Sequence, residues 1–208
     1  MKNINTELVE KLLDKSSLKR KQAAKSFRKI NDNDKIYQVS LKEALLKEIQ
    51  NIKTWEIQYN MIMAIKDNHY IELLNDLKDI SLNNKDLAPM VKIALGDVIS
   101  DFEYSNLSNL EHVLKWIEDK EINLLEGASR FLAMKHIIPS RKIMDSLIQY
   151  VIKENDESQY FWVLAASSGW PNDVKISLLN KCQNIKRDDI QEALALSVKN
   201  EYGRWKPL

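Results

Sequence analysis

Glycine and proline are scarce in this 208-residue chain, with four of each. Usual abundances are about 7% and about 5%. All-β architectures use both residues at turn after turn, so so few breakers exclude them as the expected class. The single cysteine, Cys182, leaves no internal disulfide and cannot build a multi-cysteine zinc site. Net charge is nearly absent too: 31 Lys and Arg against 30 Asp and Glu give a formal +1, and no global field draws in nucleic acid. No stretch approaches the ~18 apolar residues of a membrane-spanning helix. Glu7, Glu10 and Asp14 interrupt the N-terminal segment where a signal peptide needs an unbroken apolar core. The expectation is a cytoplasmic protein with no membrane segment.

Signatures of chemistry are missing as well. The glycines are scattered at Gly96, Gly127, Gly169 and Gly203, so there is no glycine-rich phosphate loop. His69, His112 and His136 have no second His or Cys at ligand spacing. Cys182 continues the apolar line of Val174 and Leu178, which predicts a buried structural thiol rather than a reactive one. No catalytic residue, no metal and no cofactor are expected.

What the chain does have is periodicity. Residues 54–67, TWEIQYNMIMAIKD, carry apolar side chains on almost every side, whereas a surface helix needs only one apolar stripe. With Ile57 as position zero, steps of 34 or 33 residues give the zero positions Ala23, Ile57, Val91, Leu124, Glu157 and Ile190. The plus-four column reads Phe27, Met61, Leu95, Ala128, Phe161, Leu194; plus seven reads Ile30, Ala64, Val98, Phe131, Leu164, Ser197; plus eight reads Asn31, Ile65, Ile99, Leu132, Ala165, Val198. These offsets define one face of a helix.

A more amphipathic helix precedes each of these, as in Leu41-Leu45-Ile49 and Ile143-Leu147-Val151. Ser40 with Glu43, Ser108 with Glu111, and Asp188 with Gln191 have capping-box spacing. Pro89 suits a first helical turn, and Pro139 and Gly169-Trp170-Pro171 suit helix ends. The pattern predicts an all-α fold of about twelve helices in six antiparallel pairs, forming a single domain over residues 1–208. A repeat of this length buries its apolar face only by stacking on neighbours. That accounts for second helices that are apolar nearly all round.

The segments 23–30, 55–65, 90–99, 126–134 and 188–198 resemble the HEAT-like repeats of α-solenoid proteins. The family often places Arg after the first apolar residue of the second helix. Here that position holds Gln58, Lys92, Leu125, Ser158 and Gln191, so the resemblance implies no arginine ladder between repeats. It implies binding through a concave face.

Helical geometry places offsets minus two, plus two and plus six opposite the buried columns. The expected binding residues there are Lys25, Lys29, Trp55, Tyr59, Met63, Ile93, Asp97 and Arg130, with Trp162 nearby. An apolar centre of Trp55, Tyr59, Met63 and Ile93 with a charged rim is how partner sites look. Residues 18–30 add six cations and no acid, Lys19, Arg20, Lys21, Lys25, Arg28 and Lys29, which fits either an acidic contact or a solubilising terminal repeat. Two functions follow as expectations. One is a non-enzymatic scaffold for a protein or peptide partner. The other resembles the HEAT-like DNA alkylation-repair glycosylases, with Asp97, Arg130, Trp55 and Trp162 as the nearest counterparts to an acidic residue among basic and aromatic ones.

Overall fold

A computed structural model describes residues 4–30, 32 and 34–205. Among the described residues there are twelve α-helices and no strand. They are α1 (Ile4–Leu12), α2 (Ser17–Phe27), α3 (Lys35–Glu48), α4 (Trp55–Asp67), α5 (Leu74–Asn83), α6 (Pro89–Leu107), α7 (Glu111–Glu118), α8 (Ile122–Lys135), α9 (Arg141–Glu154), α10 (Glu157–Ala166), α11 (Asn172–Cys182) and α12 (Asp188–Lys199). The expected all-α class is therefore observed. The chain divides into two compact units, Met1–Phe102 and Glu103–Leu208.

In the first unit α2 packs on α1 and α4, and α3 packs on α1 and α4. In the second, α8, α10 and α12 pack in a row, α10 between the other two, while α7, α9 and α11 form a second row against them. A helix flanked on several sides needs apolar residues on several sides. Accordingly α4 buries Ile57, Met61, Ile62, Met63, Ala64 and Ile65, each Ile and Met side chain contributing about 1.5–3 kcal/mol relative to exposure. The zero, plus-four, plus-seven and plus-eight residues of α4, α6 and α8 are all buried. Asn31 lies outside the described residues.

The fifth repeat departs from the expected register. Glu157 is exposed and Phe161 only half-buried, while Tyr160 and Val163 are covered. Helix α10, ESQYFWVLAA, has no polar residue after Gln159 to fix the phase of its buried face. The three capping boxes also fail. Ser40 lies inside α3, its hydroxyl donating to the Ile36 carbonyl at 2.7 Å, and Asp34 caps that helix by accepting from the Ile36 N–H at 2.9 Å. Asn109, not Ser108, accepts from the Glu111 N–H, at 2.8 Å. Asp188 makes no cap; Asp189 accepts from the Ile190 N–H at 2.9 Å. The spacing of a capping box recurs inside helices, and only a side chain on extended backbone just before the first turn can use it.

Helix ends carry a second consequence of scarce glycine. His69, Ser108, Lys120, His136, Asn155 and Asn200 have φ between 49° and 58°, and no glycine has positive φ. Left-handed helix stops, which normally fall on glycine, here fall on larger residues.

One polar contact recurs in both units. The Gln58 side-chain amide donates to the Glu48 and Asn51 carbonyls at 2.9 and 2.8 Å. The Gln191 amide donates to the Cys182 and Ile185 carbonyls at 3.1 and 2.7 Å. Each glutamine, one residue after its zero position, ties a second helix to carbonyls at and just after the end of the first. These residues occupy the place where the HEAT-like pattern has arginine.

Candidate functional site

The basic helix α2 is mostly neutralised by its own unit. Arg20 forms a two-pronged pair with Glu48 at 2.7 and 3.1 Å, and also donates to the Asp14 and Lys15 carbonyls. Lys19 pairs with Asp14 at 3.1 Å, Arg28 with Asp67 at 2.7 Å, and Lys21 with Glu56. Lys21 is the main reason the Glu56 carboxyl sits below its ordinary range. Lys25 and Lys29 are exposed and make no ion pair among the described residues, although the Lys25 charge also helps to lower Glu56. Both line a cleft of about 440 Å³ with Ser26, Arg28, Asn60 and Asp67. Of the six cations in residues 18–30, four are in ion pairs among the described residues and two are not.

Trp55 opens α4 and is 38% exposed. It lines a second cleft of about 330 Å³ with Ser17, Leu18, Lys21, Lys53, Thr54, Glu56 and Ile57. Tyr59, one turn on, is half-buried. The rest of the expected apolar patch is corrected by the structure: Met63 is 5% exposed and Ile93 6%. On this side α4 approaches the middle of α6 closely enough for Lys66 to reach Asp97 at 2.6 Å and Asp101 at 3.6 Å. A helical wheel gives the direction of a side chain, but not how far the next helix covers it. The exposed apolar companion of Trp55 is Leu18. Sequence reasoning missed it; the available signal was a lone leucine in the first turn of a basic helix.

Asp97 is thus committed to Lys66 within the first unit. Arg130 and Trp162 belong to the second, where the guanidinium lies 4.8 Å from the centre of the indole, a cation–π stack. Arg130 also donates to Glu126 at 2.7 Å, one turn earlier on α8. Burial pushes the Glu126 carboxyl above its ordinary range, and the neighbouring Arg130 charge opposes this. Trp162 is 8% exposed and meets Phe161 edge to face, centroids 4.8 Å apart. Phe161 in turn meets Trp205 at 5.1 Å. Trp205 follows α12 and stands outside the periodic pattern.

The remaining candidates are packed. Cys182 is fully buried and its thiol is pushed up to about 12 by burial. His112 stacks edge-on against Trp116 at 4.6 Å. Among the described residues no group of three His, Cys, Asp or Glu could hold a metal ion, and no helix is long and apolar enough to cross a membrane.

No family model matches the chain, and no solved structure matches it. An acyl carrier protein of Cyanidium caldarium is 30% identical over 79 residues, 38% of this chain and 88% of that protein. By that measure the chain belongs, over those 79 residues, with the acyl carrier protein family.

Proposed function

We propose that this chain is a non-enzymatic binding scaffold, a short HEAT-like solenoid that grips a protein or peptide through the face of its second helices. The observation that carries the reading is an exposed Trp55 at the start of α4, in a cleft beside α2, with a second cleft along the same two helices lined by Lys25 and Lys29, which make no ion pair among the described residues. Tryptophan is among the commonest anchor residues of interfaces, and rim charges steer the approach. The neutralisation of Lys19, Arg20, Lys21 and Arg28 argues against a continuous basic track for nucleic acid. The pairing of Asp97 with Lys66 leaves the glycosylase reading without its acidic residue.

The test starts from a partner recovered from the native host and identified by mass spectrometry. Its affinity is then compared for wild type and Trp55→Ala. The expected loss exceeds about 1 kcal/mol, roughly fivefold in Kd, with the far-UV spectrum unchanged. Lys29→Ala should mainly slow association and flatten its salt dependence. A Trp55→Ala protein that binds as tightly as wild type would end this reading.

The likeness to an acyl carrier protein supports a second reading, in which the matched segment carries an acyl group. Intact-mass measurement of the protein from its native host separates the two. An added acyl-bearing mass supports the carrier; an unmodified chain removes it.

A further inference from the structure

The segment after α12 has no helix, yet it is fastened along the second unit. Asn200 accepts from the Lys175 ammonium at 2.8 Å. Tyr202 stacks on His136 with centroids 4.0 Å apart and planes 18° from parallel. The Tyr202 hydroxyl is hydrogen-bonded by the Gly169 backbone, where an added Cβ would collide with it. Trp205 folds back over Gly203, which likewise has no room for a Cβ, and seats its ring against Phe161. From Phe161 the contacts continue through Trp162 to Arg130.

This attachment is made almost wholly by rings. Among the described residues no backbone–backbone hydrogen bond joins Tyr202–Trp205 to the rest of the unit. The Trp205 indole N–H is buried without an acceptor. A buried donor left unmet is costly, so the tail sits on this face less firmly than a segment whose indole N–H found an acceptor. The glycine at 169 is matched to a phenol ring arriving from outside its own helix pair.

We propose that the face formed by His136, Gly169, Phe161 and Trp162 is a docking site for a peptide bearing two aromatic residues three positions apart, occupied in cis by the chain's own Tyr202-Gly203-Arg204-Trp205 until a partner displaces it. The proposal rests on the binding-scaffold reading and adds the chemistry of the ligand and its internal competitor. Because Trp55 belongs to the other unit, the Trp55→Ala comparison keeps its meaning whichever way this face is decided.

The probe is a fluorescein-labelled peptide of residues 200–208, titrated against full-length proteins by fluorescence polarisation. Tyr202→Ala/Trp205→Ala should bind it at least about tenfold more tightly than wild type, since an occupied site lowers apparent affinity by the fraction left open. Adding Gly169→Ala, which fills the space of the tyrosine hydroxyl, should abolish the gain. A folded double variant that binds no better than wild type overturns the proposal. If the double variant does not fold, Gly169→Ala alone is decisive. It should speed tryptic cleavage after the exposed Arg204 severalfold by releasing the tail, and an unchanged rate overturns the proposal. Dimerisation of the wild type, seen by light scattering, would assign the face to the tail of a second copy and overturn the foreign partner.

Discussion

Two acidic residues on second helices, Glu56 in the first unit and Glu126 in the second, each sit beside a cation. Glu56 faces Lys21 in solvent and its carboxyl is held below the ordinary range. Glu126 faces Arg130 under cover and its carboxyl is pushed above that range, because burial outweighs the neighbouring charge. The pairing of an acid with a cation is common to both, although Lys21 reaches Glu56 from α2 and Arg130 lies one turn after Glu126 on the same helix. The difference is what lies over it: open clefts beside α2 and α4, against an aromatic run from Trp162 to Trp205 in the second unit. A shared helical plan thus leaves one face wet and closes the other with aromatic side chains, including the chain's own tail.

The sharpest way to break that contrast is in the cores. Phe131 is fully buried, so Phe131→Ala should cost about 3–5 kcal/mol. Phe161 is half-buried beneath Trp205, so Phe161→Ala should cost well under that, about 1–2 kcal/mol. Equal shifts in urea midpoint would mean that Phe161 belongs to the interior and the tail is part of the core.

Next in size come the glutamine ties, where the units should behave alike. Gln58→Ala and Gln191→Ala each remove two hydrogen bonds to carbonyls at the end of the preceding helix; the Glu48, Asn51 and Cys182 carbonyls keep a backbone donor, so each substitution should destabilise by about 1 kcal/mol. A loss confined to one of them, measured by urea unfolding, would show that only one unit relies on this contact.

The smallest effect is the pH dependence. The raised Glu126 carboxyl contributes stability that is present below the ordinary carboxylate range and is lost as pH rises through its folded-state value. The lowered Glu56 carboxyl does the opposite: its contribution is present above the ordinary range and is lost as pH falls through its folded-state value. Glu126→Gln should therefore remove a decline in stability toward neutral pH, and Glu56→Gln a decline toward acid. Midpoints of unfolding between pH 3.5 and 7, a window of roughly the carboxylate range, should change in opposite senses for the two variants.

How much of this was legible in the sequence follows from what each level of structure depends on. The buried faces of α4, α6 and α8 were readable because polar residues such as Glu56, Asp97 and Arg130 phase the apolar ones. The phase was lost in α10, where apolar residues run on without interruption. Helix starts were misplaced because Asp34 and Asn109 cap through local backbone geometry that no spacing rule encodes. In the candidate site Trp55, Lys25 and Lys29 were found from helical direction alone, and the structure leaves all three accessible. Met63 and Ile93 were lost to a neighbouring helix, and Leu18 and Trp205 became visible only in three dimensions. Exposure belongs to the packed molecule, not to the helix that carries the residue.

The left-handed helix stops on His69, Ser108, Lys120 and other non-glycine residues also bear on how this chain could change. A side chain held in that conformation stores about 1 kcal/mol of local strain, which a glycine would relieve at once. Lys120, in the three-residue link between α7 and α8, is the plainest such position. Several helix ends therefore hold an unspent reserve, reachable by single substitutions that touch neither the buried columns nor the binding faces. A lineage or a designer needing to offset a destabilising new contact on α2, α4 or α10 would find the compensation already waiting in the turns.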